Sequence, residues 1–386
     1  MIRRTLEAQA LKLATQFPVL TIVGPRQAGK TTLARSVFSD HAYVNLEEPE
    51  TRALAGADPK AFMARHPGLV IFDEIQRVPE LLSSIQVEVD ANPAMGRYIL
   101  TGSHQTELQQ AISQSLAGRT AILQLLPFAI EELGTTAPKS LDELMLKGFL
   151  PRIYDAGQDP TQAYRAYFQT YVERDLRQLV EVKNLALFQR FMRLCAGRVG
   201  QLFNANALAG EVGVSNHTIE HWISALEASY LVIRLQPYFE NFNKRLVKTP
   251  KLYFTEVGLA TYLLGIETPE QLSRDPLRGG LFENLVIMEL LKARMHRGRE
   301  PGLYYFRDHK GNEIDALLIR GRDLVSVEIK SAQTFHPSMA NKLNLFRRWA
   351  GPRAVESHVV YAGAQEQAFG ENQLTPYTRA ARIASK

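Results

Sequence analysis

The sequence predicts a multi-domain α/β protein organised on a parallel β-sheet, and three observations carry that expectation. The β-branched apolar run Val19-Leu20-Thr21-Ile22-Val23 leads straight into Gly24-Pro25-Arg26-Gln27-Ala28-Gly29-Lys30-Thr31, and a helical pattern over Thr32 to Phe38 follows at once. A second run, Leu69-Val70-Ile71-Phe72, ends in the adjacent carboxylates Asp73 and Glu74. A third, Arg97-Tyr98-Ile99-Leu100, ends in Thr101-Gly102-Ser103. Continuous apolar runs with polar tips, separated by helical stretches, are the pattern of parallel strands covered on both faces.

The 386 residues suggest more than one domain at about 100 to 200 residues each. At 45% hydrophobic residues the chain has enough apolar side chains for packed cores, which excludes a disordered protein. A net charge of +5 permits contact with nucleic acid without arguing for it. The single cysteine, Cys195, excludes an internal disulfide framework and a cysteine-rich zinc site, and reads as a small core residue. Arg3 and Arg4 are followed by no apolar segment of a secretory signal, and no run of about 18 apolar residues occurs, so a soluble, cytoplasmic protein without a membrane span is expected.

In chain order, Leu6, Ala10, Leu13 and Ala14 have the spacing of an amphipathic lead-in helix. The next stretch matches G-x-x-x-x-G-K-[ST] between a strand and a helix. Its glycines let the backbone curl so that successive N–H groups face phosphates, Lys30 adds a point charge and Thr31 offers a hydroxyl to Mg²⁺. Gly24, Pro25, Arg26, Gln27, Ala28, Gly29, Lys30, Thr31 and Thr32 are therefore expected to line a nucleotide. Tyr43-Val44-Asn45-Leu46 reads as a short strand. By itself an apolar run ending in Asp-Glu is a strand end with a solvated pair. Downstream of a phosphate loop, Asp73 reads as a Mg²⁺ ligand and Glu74 as the group that polarises an attacking water. Thr101 or Ser103, at the third strand tip, is placed to touch a γ-phosphate or that water, a plain turn being the alternative. A helix over Leu108 to Leu116, then Ala117-Gly118-Arg119 and a strand over Thr120 to Leu126, complete this region.

The Gly24 to Thr31 loop, Phe72-Asp73-Glu74-Ile75-Gln76, Leu100-Thr101-Gly102-Ser103 and Leu116-Ala117-Gly118-Arg119 with Leu126-Pro127-Phe128 together resemble a widespread prokaryotic group of AAA-type P-loop ATPases. In that group the ATPase is fused to a C-terminal domain of unknown function similar to PD-(D/E)XK nucleases. The resemblance covers nearly the whole chain and implies ATP and Mg²⁺, with the loop as Walker A and Asp73-Glu74 as Walker B. It gives Thr101 or Ser103, with Ser103 taken for the γ-phosphate side, the sensor 1 role and Arg119 that of an arginine finger reaching a neighbour's site, hence a homo-oligomer, against an ordinary salt-bridged arginine. It also implies a helical lid, in which Gly148-Phe149-Leu150-Pro151 has Phe149 where the family carries a second glycine.

From Pro160 to Val180 the pattern is helical, and Tyr164, Tyr167, Phe168 and Tyr171 read as a core-facing stripe in preference to a base-stacking platform. Glu173-Arg174-Asp175 reads as a solvated or lid-facing charge cluster. Residues 203 to 235 have helix-turn-helix spacing: a helix to Val212, a turn at Gly213-Val214-Ser215, a second helix from His217 and a wing strand at Leu231 to Leu235. DNA binding is one reading. Glu220, Glu227, His217 and His221 on the second helix favour a packing or partner-binding winged helix equally. The basic stretch Asn243 to Lys251 is a candidate for phosphates of DNA or RNA.

The last third predicts an amphipathic helix over Phe282 to Leu291 and strands at Tyr304 to Phe306, Asn312 to Ile319 and Asp323 to Lys330. Asp315, Glu328 and Lys330, with Glu283 on the preceding helix, form the residue pattern of PD-(D/E)XK nucleases. Carboxylates hold a metal there, and the lysine two positions on, on the same strand face, activates water. A fold kept for binding without cleavage is the alternative. The expected division is an AAA-type P-loop core over 1–132, a helical lid over 133–184, a winged helix over 185–262 and a small nuclease-like α/β domain over 263–386. The function expected is Mg²⁺-dependent ATP hydrolysis controlling a nucleic-acid-binding or nuclease-like module, or else an ATP-gated switch for a protein partner.

Overall fold

Alternation along each strand sorts the N-terminal residues into two cores. The computed structural model describes residues 2–103, 111–112, 114–171, 184–239 and 246–386. The chain divides into one unit of Met1–Phe128 with Ala228–Tyr230 and Met295–Arg299, and a second unit of Ala129–Glu227, Leu231–Arg294 and Glu300–Lys386.

The first unit is built on β1 (Val19–Val23), β2 (Ala42–Asn45), β3 (Val70–Asp73), β4 (Tyr98–Gly102) and β5 (Thr120–Gln124), in the order β2-β3-β4-β1-β5. Every neighbouring pair is parallel. Val19, Val23, Phe72, Tyr98 and Leu100 join one core with Leu82 and Ile85 of helix Leu81–Ala91. Leu20, Ile22, Ile71, Ile99 and Leu123 join the other, with Leu6 and Ala10 of helix Leu6–Ala14 and Leu33 of helix Lys30–Val37. A strand buried on both faces reads as an unbroken apolar run for this reason. Because all five strands run the same way, β1, β3 and β4 deliver their tips to one edge of the sheet, the edge where open α/β sheets carry their ligands.

In the second unit, helix Ala205–Val212 ends at Gly213, whose φ of +86° makes the turn, and helix Asn216–Ala228 follows. An antiparallel pair, β6 (Val232–Leu235) and β7 (Lys251–Phe254), comes next. The larger sheet contains β8 (Leu303–Arg307), β9 (Glu313–Arg320), β10 (Asp323–Lys330), β11 (Ala354–Tyr361), β12 (Gln367–Phe369) and β13 (Asn372–Pro376), in the order β12-β13-β11-β10-β9-β8. Helix Asn341–Ala350 covers it, with Leu343 and Phe346 packed among Phe306, Leu317, Leu324 and Val359.

Tyr164, Tyr167, Phe168 and Tyr171 are all buried, as the core reading expects. Cys195 is buried and unbonded to another cysteine. Helix Arg278–Met295 differs from its reading as amphipathic. Phe282, Asn284, Val286, Ile287 and Leu290 are all fully buried, so the helix is enclosed around its circumference and its polar residues face protein. Residues 104–110, 113, 172–183 and 240–245 lie outside the described residues, and with them residues 108–110 and 113 of the expected Leu108 to Leu116 helix, Glu173-Arg174-Asp175 and Asn243-Lys244-Arg245. Among the described residues no helix is long and apolar enough to cross a membrane.

Candidate functional site

The turn out of β1 is possible only with glycine at its start. Gly24 has φ +150°, and a Cβ there would lie 2.0 Å from the Leu125 carbonyl oxygen. Gln27 takes φ +62°, and Gly29 takes φ +91° just before helix Lys30–Val37. These left-handed residues curl the loop back on itself, with the Ala28 N–H donating to the Pro25 carbonyl at 3.4 Å, just ahead of the helix N-terminus, the kind of backbone that receives phosphate. Lys30 is 5% exposed and donates to the carbonyls of Gly24 at 3.0 Å and Pro25 at 2.8 Å, so its ammonium spans the loop from inside. Burial lowers the Lys30 pKa, while Glu74 and Asp73 pull it back upward.

Asp73, at the end of β3, accepts hydroxyl hydrogens from three elements. Thr31 Oγ1 lies 2.9 and 3.0 Å from its two carboxylate oxygens, the Tyr43 hydroxyl donates to Oδ2 at 2.8 Å, and Thr101 donates to Oδ1. Glu74 follows in a left-handed conformation, φ +58°, which a glutamate seldom adopts and which concentrates at functional sites. Its backbone N–H donates to Thr101 Oγ1 at 3.2 Å. Ser103 donates to Glu74 Oε2 at 2.8 Å, and the Gln76 amide reaches both Glu74 Oε2 at 2.5 Å and Ser103 Oγ at 3.2 Å. Burial would raise the Glu74 pKa, but Lys30 and the hydrogen bonds from Ser103 and Gln76 outweigh it and hold the carboxyl below the usual glutamate value. Glu74 is thus poised as a carboxylate.

Thr31 and Asp73 fit Mg²⁺. They supply a hydroxyl and a carboxylate, both oxygen donors, and the present partners of Asp73 are neutral hydroxyls that can turn away from it, leaving the other coordination positions to phosphate and water. When bound, the ion would neutralise charge on the phosphates. Arg26 lies 3.6 Å from Glu47, which also meets Arg77 at 3.4 Å. Thr101, one of two candidates at the β4 tip, turns to Asp73, and Ser103 turns to Glu74.

Arg119 is at the other end of the sheet. Its carbonyl accepts from the N–H of Val19, the first residue of β1, so the length of β1, about 16 Å, separates it from its own loop. Its guanidinium forks onto Asp90 at 2.6 and 2.9 Å. Arg4, read in the sequence only as part of a non-signal N-terminus, is buried beneath the loop. It donates to the carbonyls of Ala28 at 2.7 Å and Leu126 at 2.6 Å.

In the second unit Glu283, Asp315, Glu328 and Lys330 come together. The β9–β10 register pairs Ala316 with Val327, which sets Asp315 opposite Glu328 on one face, and Lys330 lies two residues on along the same face. Asp315 accepts from the Ile329 N–H at 2.7 Å. Lys330 Nζ lies 2.6 Å from Glu328 and 3.8 Å from Asp315, and Lys342 lies 3.3 Å from Glu328. Burial, and then Asp315, push Glu328 up to about 7 and raise Glu283 as well. The sequence reading of Asn243 to Lys251 as a phosphate-facing stretch fails at Lys251, which is 3% exposed and paired with Glu283 at 2.9 Å and Glu313 at 2.6 Å. With that ammonium seated between carboxylates, the cluster does not fit a divalent cation as it stands. Among the described residues, no group of three or more His, Cys, Asp or Glu is arranged to hold a metal ion.

On helix Asn216–Ala228, Glu220 and Glu227 are held by Arg234 of β6 at 3.1 and 2.6 Å, and the helix carries no lysine or arginine to offer a phosphate. Phe149 is buried beneath the Lys292 ammonium, 3.8 Å from the ring centroid, and Gly148 leaves no room for a Cβ beside Tyr164 and Glu256. Sequence reasoning gave no role to Tyr43, Gln76 or Arg4 and the wrong one to Lys251. Gln76 and Tyr43 stood beside recognised segments, but their contacts cross from one strand to another and leave no local spacing to read.

Residues 16–134 match the AAA domain family, while 138–270 and 278–380 match two domains of unknown function. The uncharacterized proteins Rv2008c of Mycobacterium tuberculosis and Mb2031c of Mycobacterium bovis are each 33% identical over 344 residues, which is 88% of this chain and 76% of theirs. Among solved structures, the Walker-type ATPase of Pyrococcus abyssi is similar with a TM-score of 0.46 and 14% identity over 68% of this chain and 96% of that one. The N-terminal sheet, with the phosphate loop and the Asp73–Glu74 tip on one edge, lies within the residues that match the AAA domain model, and the chain as a whole belongs to the family of those two mycobacterial proteins.

Proposed function

We propose that the protein hydrolyses ATP in a Mg²⁺-dependent reaction at the edge of the N-terminal sheet. The observation that supports this reading best is the convergence of Thr31, Asp73, Glu74 and Ser103, from one helix and two strand tips, around the loop spanned by Lys30. Loop amides and Lys30 bind the phosphates, Thr31 and Asp73 hold the ion, Glu74 orients water, and Ser103 fixes Glu74 and faces the γ-phosphate side. Arg119, far from its own loop, acts on a neighbouring copy's nucleotide in a homo-oligomer. The test is phosphate release from ATP in Mg²⁺, with ATP binding measured in parallel. A protein that binds ATP and releases no phosphate, alone or with single-stranded DNA, duplex DNA or RNA, would overturn the assignment.

A second reading concerns the second unit, taken as helical lid, winged helix and nuclease-like domain with DNA or RNA as substrate. The placement of Asp315 on β9 and of Glu328 and Lys330 on β10, on one face of the sheet, favours it. Incubating the protein with each nucleic acid in Mg²⁺ and Mn²⁺ tests it, and intact nucleic acid throughout leaves a binding module gated by ATP.

A further inference from the structure

Lys251 is the first residue of β7, a strand pinned on its other side where Gly200 donates to the Leu252 carbonyl at 2.8 Å and Leu252 donates to the Gln201 carbonyl at 3.0 Å. That fixed backbone sends the lysine into a carboxylate cluster built from helix Arg278–Met295 and strands β9 and β10. Its ammonium bridges Glu283 and Glu313, the Tyr253 hydroxyl donates to Glu283 at 2.6 Å, and Arg307 meets Glu313 at 3.0 Å. Burial alone would lower the Lys251 pKa, and Glu283, Asp315 and Glu313 together raise it, which places Asp315 within electrostatic reach of the same ammonium. Four carboxylates, Glu283, Glu313, Asp315 and Glu328, thus face Lys251 and Lys330, with Lys342 and Arg307 at the margin.

A second observation points to a missing positive ligand. Glu328 is 1% exposed, yet its Oε2 has no hydrogen-bond partner among the described residues, although Oε1 meets two lysines. A buried carboxylate oxygen without a donor costs free energy that a cation removes. Divalent metals take such oxygens at about 2.0 to 2.6 Å, closer than an ammonium hydrogen-bonds to them, so metal and Lys251 compete for Glu283.

We propose that Lys251 is a built-in counter-cation that keeps the Glu283–Asp315–Glu328 cluster closed to divalent metal, and that the cluster is a latent metal site which opens when this ammonium is withdrawn. The proposal rests on reading the cluster as metal-competent, and metal binding is tested apart from cleavage. A bystander lysine in a structural ion pair gives a different result, because its removal then leaves uncompensated carboxylates that no metal rescues.

The experiment measures Mn²⁺ binding by calorimetry on the full chain carrying Asp73→Asn, which silences the N-terminal ion site, with and without Lys251→Met. The expected result is one additional Mn²⁺ bound by the Lys251→Met chain at least about tenfold more tightly than by its parent, with Mn²⁺ raising the melting temperature of that chain only. Equal Mn²⁺ affinity in the two chains, or tight binding by the parent, overturns the proposal. Should Lys251→Met fail to fold, the charge-balanced pair Lys251→Gln with Glu313→Gln keeps Glu283, Asp315 and Glu328 and must show the same gain; no gain there overturns it equally. Metal gain with intact nucleic acid in the same tubes supports the counter-cation and removes the nuclease reading.

Discussion

The two carboxylate sites differ in what holds their acids before any ligand arrives. Asp73 is held by hydroxyls of Thr31, Tyr43 and Thr101, all neutral. Glu283 and Glu328 are held by the ammonium groups of Lys251, Lys330 and Lys342. A hydroxyl can rotate and present its lone pair to an arriving ion, whereas an ammonium has no acceptor and must leave. Similar residues thus give one site that is ready for a cation and one that is already neutralised. The fixed charge also sets the protonation of each. Glu74 is held below the usual value with Lys30 nearby, while Glu328 is raised because burial and Asp315 outweigh its lysines.

The sharpest way to break this comparison is at Glu74. Glu74→Gln is expected to keep ATP binding and to lower the turnover rate by about 100-fold or more, because the lost charge acts on water only during reaction. Equal loss of binding would make Glu74 structural. Next in size, Gly24→Ala forces a Cβ against the Leu125 carbonyl, and Lys30→Ala removes the loop's charge; each is expected to weaken ATP at least about tenfold in a direct binding assay. If Arg119 works across an interface, turnover per chain rises with protein concentration. Mixing Arg119→Ala with Glu74→Gln chains then restores part of the activity, since one interface pairs intact Glu74 with intact Arg119. A rate independent of concentration, with no rescue, confines Arg119 to its pair with Asp90.

Smaller effects sharpen the contrast. Tyr43→Phe removes one neutral donor from Asp73 and should change the Mg²⁺ concentration for half-maximal turnover by only about two- to fivefold, with the melting temperature unchanged. In the second unit, buried Glu256 accepts from the N–H groups of Phe149 and Gly258, and burial raises its pKa to about 7. A raised acid favours the folded state while protonated. Its contribution is full below the unfolded value of about 4.5 and is lost as pH rises through 7, roughly 3 kcal/mol over that window. Melting curves between pH 4.5 and 8 should fall less steeply for Glu256→Gln than for the unaltered chain, and parallel curves would place that pH dependence elsewhere.

Much of the N-terminal site was legible because its parts are local. Gly24 to Thr31 is a turn dictated by φ, and Asp73-Glu74 closes an apolar run, so spacing carried both. The residues that tune it were not legible. Tyr43 meets Asp73 across the β2–β3 pairing, where Asn45 lies beside Asp73, and Gln76 meets Ser103 from a different strand tip. In the second unit the pattern Asp315, Glu328-x-Lys330 was visible because it follows two strands. Lys251 was misread because a basic stretch looks solvated until its pairing shows it entering a core. The helix around Glu283 was misjudged for a related reason: Asn284, Glu289 and Lys292 look like a polar face, but Asn284 bonds the Phe254 backbone and Lys292 meets Glu289 in the interior.

The order of the N-terminal sheet has a consequence for how the chain is made. β1 pairs only with β4 and β5, Val19 meeting Tyr98 on one side and Thr120 on the other, so the first strand synthesised waits for the last two. The loop is sealed later still, when Leu125 arrives over Gly24 and Arg4 ties Ala28 to Leu126. At roughly 5 to 20 residues per second on a ribosome, an apolar strand and an unformed phosphate loop stay open for on the order of 5 to 20 s. A nascent chain stalled before Tyr98 is expected to be unable to retain nucleotide and to engage chaperones through Val19–Val23.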